Sequence, residues 1–160
     1  MIILGIDPGT TRIGFGVIEF IAKNKTPKII ECGLLKIIEK KPNDRIREAS
    51  SHFLHILNIH KPNLLAIEKL FFMNNQKTGI SVAEMRGGLI MLAVNAGLEI
   101  KEYAPTEIKR FVTGIGNAPK QQVKKMVEYS LKLKSIPGPD DVSDALAISL
   151  AAYYDFSSIK

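Results

Sequence analysis

The chain has a single cysteine, Cys32, among its 160 residues. An internal disulfide and a cysteine-built zinc cluster are therefore excluded. Long apolar runs are missing too. The longest, Leu89 to Val94, falls far short of the roughly 20 residues that cross a bilayer, so no membrane partner is expected. No basic stretch precedes the first apolar run and no small-residue cleavage site follows it. The chain therefore reads as lacking a signal peptide, and the cytoplasm is the expected compartment. Internal repeats, low-complexity tracts and linkers are also absent, which leaves one domain spanning residues 1–160. Apolar residues make up 46% of that domain, enough for a core without staples.

Acidic residues are scarce where basic ones gather. Between Lys101 and Ser135 stand eight lysines and arginines against three glutamates, a window that holds most of the net charge of +6. Such a cluster suits a polyanionic partner.

Turn signals divide the rest. Apolar runs at Ile2–Ile6, Ile13–Phe20 and Ile29–Ile37 read as strands, separated by Pro8-Gly9 and by a polar stretch from Lys23 to Lys28. A helix starts near Pro42-Asn43-Asp44, with Ile46, Ala49, Phe53, Ile56 and Leu57 at helical spacing. Leu64–Ile67 is a short buried strand. Helices follow from Ser81 to Ala96, from a Thr106 cap to Gly114, from Lys120 to Leu133 and from Asp141 to Tyr154, with a strand at Leu98–Tyr103. This order predicts an α/β domain. Its sheet is mixed and five-stranded, a three-strand antiparallel meander plus two parallel strands, flanked by helices.

Four acids stand out against this frame. Asp7 and Glu68 each end an apolar strand, and two neighbouring parallel strands would bring both to one edge of the sheet. Asp141 and Asp144, three apart on the last helix, share a face. Taken singly, each has an ordinary explanation as a turn former or helix cap. Together they form an oxygen-only ligand set suited to Mg²⁺ or Mn²⁺ rather than zinc. Two such ions about 4 Å apart can activate water and stabilise a leaving oxygen at phosphorus. His52 and His55 have no acidic or cysteine companions and read as packing or surface residues.

Four segments resemble those of RuvC-type Holliday junction resolvases, in the same order and across nearly the whole chain. They are Ile3-Leu4-Gly5-Ile6-Asp7-Pro8-Gly9, Ala66-Ile67-Glu68-Lys69-Leu70-Phe71, Val112-Thr113-Gly114-Ile115-Gly116-Asn117-Ala118-Pro119-Lys120 and Asp141-Val142-Ser143-Asp144-Ala145-Leu146-Ala147. The resemblance implies a ribonuclease H-like fold and a bacterial homodimer. It also implies Mg²⁺-dependent paired nicking of four-way junction DNA in strands of like polarity, with the RuvA–RuvB branch-migration complex as partner. By motif the catalytic and metal-holding acids are Asp7, Glu68, Asp141 and Asp144. The family varies at the position of Asp141, and Asp140 falls outside the pair and reads as the helix cap.

The same resemblance places Phe71 at the junction centre and Lys109 and Lys120 near the scissile phosphates. Arg110, Lys124 and Lys125, from the same basic window, are read as further DNA contacts without a motif match. A base stacked on an aromatic is worth about 1–3 kcal/mol. The Ser81–Ala96 helix is apolar on more than one side, so it is either internal or covered by a second copy. A dimer interface would centre on Val82, Met85 and Leu89. Rival readings are an actin-like ATPase, for which the chain is too short, a related nuclease of ribosomal RNA precursors, and a non-catalytic basic DNA-binding module. The last leaves the four acids unexplained.

Overall fold

The computed structural model describes residues 1–21, 26–70 and 76–158. Five strands are present: β1 (Ile2–Asp7), β2 (Arg12–Glu19), β3 (Lys28–Lys36), β4 (Leu64–Glu68) and β5 (Glu99–Tyr103). Five helices accompany them: α1 (Pro42–His60), α2 (Gln76–Asn95), α3 (Pro105–Thr113), α4 (Lys120–Ser130) and α5 (Asp140–Ser158). The strands lie in the order β3-β2-β1-β4-β5. β1, β2 and β3 form the antiparallel meander, while β4 runs parallel to β1 and β5 parallel to β4. This is the predicted ribonuclease H-like sheet.

Strand periodicity decides which way the strand-end acids face. Side chains alternate between the two faces of a sheet. Leu4 and Ile6 of β1, with Leu65 and Ile67 of β4, join the core beneath α1 and α2. Ile3 of β1, with Leu64 and Ala66 of β4, joins the core beneath α3, α4 and α5. Asp7 and Glu68 continue this second series. Because Ile6 pairs with Ile67 in parallel register, the two acids follow side by side on the α5 face.

Glycine brings α5 onto that face. Gly5 and Gly16 are register partners on β1 and β2, and Gly14 is the partner of Asp7. A Cβ on Gly14 would lie 2.0 Å from the Asp141 carbonyl oxygen. One on Gly5 would lie 2.2 Å from Ser149 Oγ, and one on Gly16 2.8 Å from a Leu146 methyl. The sheet thus has a shallow furrow in which the backbone of α5 rests, and Ser149 Oγ donates to the Gly16 carbonyl across it at 2.8 Å. With α3 and α4 on its outer side, α5 is buried from Val142 to Tyr153 except at Asp144. Each large side chain buried there stabilises the fold by about 1.5–3 kcal/mol.

Three expectations need correction. α2 was expected to carry a partner on Met85 and Leu89, yet both are fully buried in the chain's own core against α1 and the sheet. Val82 is half-buried. The apolar residues left outside on α2 are Ile80, Met91 and Val94. Second, α3 starts at Pro105, not after a Thr106 cap. Proline suits the first helical position because it has no N–H to satisfy there, and the Glu107 carboxylate accepts the Ala104 N–H at 2.7 Å. Third, α4 stops at Ser130, because Lys132 turns into the left-handed region with φ of 55°. Smaller shifts lengthen α2 at its start and α5 at its end.

Candidate active site

The first turn of α5 crosses the C-terminal ends of β1 and β4. Asp141 and Asp144 arrive there because Gly14 lets the α5 backbone approach the strand pair at Asp7. Glu68 and Asp144 line one cleft of about 210 Å³, together with Lys109 of α3 and Lys120 of α4. Apolar walls close it: Ile108, Val123, Ala147 and Ile148. Four side chains singled out by sequence, from four different elements, therefore share one small volume.

The electrostatics agree. The Asp7 carboxyl is pushed up to about 7, first by burial and then by the charges of Asp144, Glu68 and Asp141. Glu68 is also raised, by burial and by Asp144, against the opposing pull of Lys109 and Lys120. Like charges held together favour the neutral form.

Side-chain cations sit among the acids. Lys120 Nζ is 2.9 Å from Asp144 Oδ2 and 3.4 Å from Asp140 Oδ2. The bond to Asp144 raises the Lys120 pKa. Arg12 at the start of β2 reaches Asp141 at 3.6 Å. Among the described residues, no three acidic, histidine or cysteine side chains stand at ligand spacing around one point. Asp7 feels the charge of the other three acids and Glu68 that of Asp144, without a closed cage. Their chemistry nevertheless fits a hard divalent cation: they are oxygen donors only, and their mutual repulsion would be relieved by positive charge.

Several assignments change in detail. Asp140 is the first residue of α5, but its carboxylate pairs with Lys120 and, at 3.7 Å, with Lys124. Lys124 thus stands at the rim of the acidic group. Arg110 is exposed and lies over the Phe111 ring, 5.9 Å from its centroid, away from the cleft. Phe71 and Phe72 lie outside the described residues. His52, expected to have no acidic companion, has one: its Nε2 lies 3.8 Å from Glu48 Oε1, four residues earlier on the same helix.

Two residues at the site went unnoticed in the sequence. One is Arg12, whose place beside Asp141 depends on β2 lying under α5. The other is Arg86 of α2, whose Nε donates to the main-chain carbonyl of Glu68 at 2.9 Å. A lone arginine in a strand or helix carries no local signal of such a contact.

The fold places the chain in the ribonuclease H-like class. Residues 3–152 match the family model for crossover junction endodeoxyribonuclease RuvC. The RuvC protein of Desulforamulus reducens is 41% identical over 151 residues, covering 94% of this chain and 91% of that one. That of Caldicellulosiruptor saccharolyticus is 39% identical, covering 99% and 96%. Thermus thermophilus RuvC superposes with a TM-score of 0.88 at 30% identity, covering 98% of this chain and 96% of that one. The same protein in complex with a Holliday junction substrate gives a TM-score of 0.89 at 30% identity, covering 97% and 94%. The chain belongs to the RuvC family of crossover junction endodeoxyribonucleases.

Proposed function

We propose that this protein resolves Holliday junctions by paired, metal-dependent hydrolytic nicks in strands of like polarity. The observation that carries the reading is the cleft in which Glu68 and Asp144 face Lys109 and Lys120. Acids and lysines lining one small volume can hold a cation and a phosphate side by side. A basic binding module has no need of the acids, which repel DNA.

Asp7, Glu68, Asp141 and Asp144 would hold the metal, with two Mg²⁺ as the expected complement and Mn²⁺ as a substitute. A bound divalent ion supplies charge stabilisation at phosphorus and acidifies water. The chain's own groups do the rest. Ile108, Val123, Ala147 and Ile148 give Glu68 and Asp144 an apolar wall on one side. Lys109 and Lys120 meet the phosphate's negative charge, and Lys120 is held ready on Asp144 and Asp140. Arg110 and Lys124 would extend the DNA contact beyond the cleft, and Phe71 would stack on a base at the junction.

Paired cuts require two sites, so the active form would be a homodimer. The second copy would cover the outer face of α2, where Ile80, Met91 and Val94 are each more than half exposed. Gly87 and Gly88 lie on the same helix, and apart from the helix's own backbone no described residue comes within 4 Å of either Cβ position. Mid-helix glycines that serve no contact within the chain suit close approach of another backbone. Cytoplasmic localisation and a RuvA–RuvB partner belong to the same proposal.

The test is incubation with a four-way junction, a matched duplex and a ribosomal RNA precursor, each with Mg²⁺ or chelator. Symmetric nicks confined to the junction and to Mg²⁺ are expected. Cleavage of the RNA precursor alone would select the rival nuclease reading, and binding without cleavage in any metal would select the DNA-binding module.

A further inference from the structure

Glu68 is the last residue of β4, and the chain leaves the sheet directly after it. The direction of a side chain at such an end depends on the peptide plane that follows. That plane is the unit made by the Glu68 carbonyl and the Lys69 N–H. Both of its polar ends are held. The Lys69 N–H donates to the Tyr103 carbonyl at 2.8 Å, extending the β4–β5 pairing one step. The Glu68 carbonyl accepts from Arg86 Nε at 2.9 Å. The arginine is itself fixed, because its Nη2 is bonded to the Glu102 carboxylate of β5. Its side chain is 14% exposed.

From this geometry we infer that Arg86 is a positioning residue for Glu68. It holds the peptide after Glu68 from the α2 side while Tyr103 holds it from β5, so the carboxylate leaves the sheet toward Asp144 in one orientation. The inference rests on the reading of Glu68 as a metal-holding acid. It goes beyond that reading by assigning a role to a residue outside the acidic cleft.

The chemistry of the contact is specific to arginine. One planar guanidinium bridges two acceptors on different strands, the Glu68 carbonyl and the Glu102 carboxylate. A lysine ammonium keeps the charge but is a point donor on a flexible stem. The charges that offset Glu68 come from Lys109 and Lys120; Arg86 meets the main chain instead. Outer partners that orient ligand groups typically change metal affinity or activity by about 10–100-fold when removed.

The test uses the full chain in six forms: wild type, Arg86→Lys, Arg86→Gln, Glu102→Ala, Leu89→Ala and Glu68→Gln. Mn²⁺ binding is titrated by electron paramagnetic resonance without DNA, and junction cleavage is measured at saturating DNA. Both Arg86 variants should raise the Mn²⁺ half-saturation and lower the cleavage rate about 10–100-fold, with junction affinity in chelator unchanged. Glu102→Ala, which frees the guanidinium without emptying a buried site, should move both in the same direction by less. It keeps the question answerable if an Arg86 variant fails to fold. Leu89→Ala, a core truncation on the same helix, should lower the melting temperature and leave Mn²⁺ half-saturation in place.

Wild-type behaviour in Arg86→Lys would overturn the inference, and so would a Leu89→Ala shift as large as that of Arg86→Gln. Glu68→Gln separates the two levels. If it is inactive while Arg86→Lys is normal, only the positioning role fails. If it binds Mn²⁺ and cuts normally, the reading of Glu68 fails and the inference goes with it.

Discussion

Asp7 shows how one side chain reports the whole site. Its carboxyl is raised from 3.8 to about 7 by burial and by three neighbouring acids. The folded state therefore binds a proton that the unfolded chain releases near pH 4. The stability linked to this proton is complete below about pH 4 and is lost as pH rises through about 7. In chelator, the melting temperature should fall across that window, and Asp7→Asn should flatten the fall. At pH 7.5 the variant should melt higher than wild type, because active-site charge is held at the expense of stability. Asp144→Asn should gain less, since its carboxylate also holds Lys120. Mg²⁺ should stabilise wild type more than either variant. A flat wild-type profile would mean that Asp7 lies free of its neighbours' charge. In cleavage assays Asp7→Asn should be inactive yet still bind junctions.

Lys120 makes a second prediction at this scale. It is bonded to acids, but an ion pair at a partly exposed site contributes little to stability. Lys120→Ala should leave the melting temperature within a degree or two and weaken junction binding. The slope of log affinity against log salt should drop by about 0.9 for the lost phosphate contact. A salt slope identical to wild type would place Lys120 off the DNA.

At the scale of elements, the furrow of glycines governs where α5 lies. Gly14→Ala puts a methyl 2.0 Å from the Asp141 carbonyl, against backbone that cannot rotate away. Either α5 or β2 must shift. Overpacking of this kind typically costs about 1–3 kcal/mol. The shift also moves Asp141 relative to Asp7, so urea denaturation and cleavage should both register it. Gly87→Ala on α2 is the opposite case. Apart from the helix's own backbone, no described residue of the protomer lies within 4 Å of the new methyl, and alanine in a helix interior is favoured over glycine by about 1 kcal/mol, so the protomer should gain stability while the proposed dimer loosens. Urea midpoints that move alike in the two variants would remove the furrow from the account of the site.

At the scale of the whole molecule, the apolar pattern of α2 serves two surfaces. Met85 and Leu89 build the protomer's core, while Ile80, Met91 and Val94 stay outside. With α2 as the face of the proposed homodimer, Met91→Lys should leave the folded protomer intact and shift sedimentation equilibrium toward monomer, because an unpaired charge in an interface is costly. Junctions would then be nicked singly instead of in pairs. Met85→Lys, by contrast, should unfold the protomer. Wild-type monomers at assay concentrations would remove α2 as a dimer face. No helix among the described residues is long and apolar enough to cross a membrane.

Local pattern alone determined much of this protein. Continuous apolar runs bounded by Pro8-Gly9 and Pro62-Asn63 marked β1 and β4 as buried strands, and with them the strand-end positions of Asp7 and Glu68. The i, i+3 spacing put Asp141 and Asp144 on one helical face. Such features depend on residues within a few positions of one another, so they survive in a linear reading. Other features depend on which elements meet. The parallel register of β1 and β4 set the two strand-end acids side by side. The furrow at Gly5, Gly14 and Gly16 brought α5 to them. Asp140 turned from cap to partner of Lys120 only because α4 starts opposite α5. Arg12 and Arg86 gained their contacts the same way, across 129 and 18 positions of chain. For α2 the composition was plain but the side was not, because an apolar residue has the same sequence signature whether it faces its own core or a second copy. Tertiary packing decided that Met85 and Leu89 turn inward, since only there does the sheet offer apolar surface to cover them.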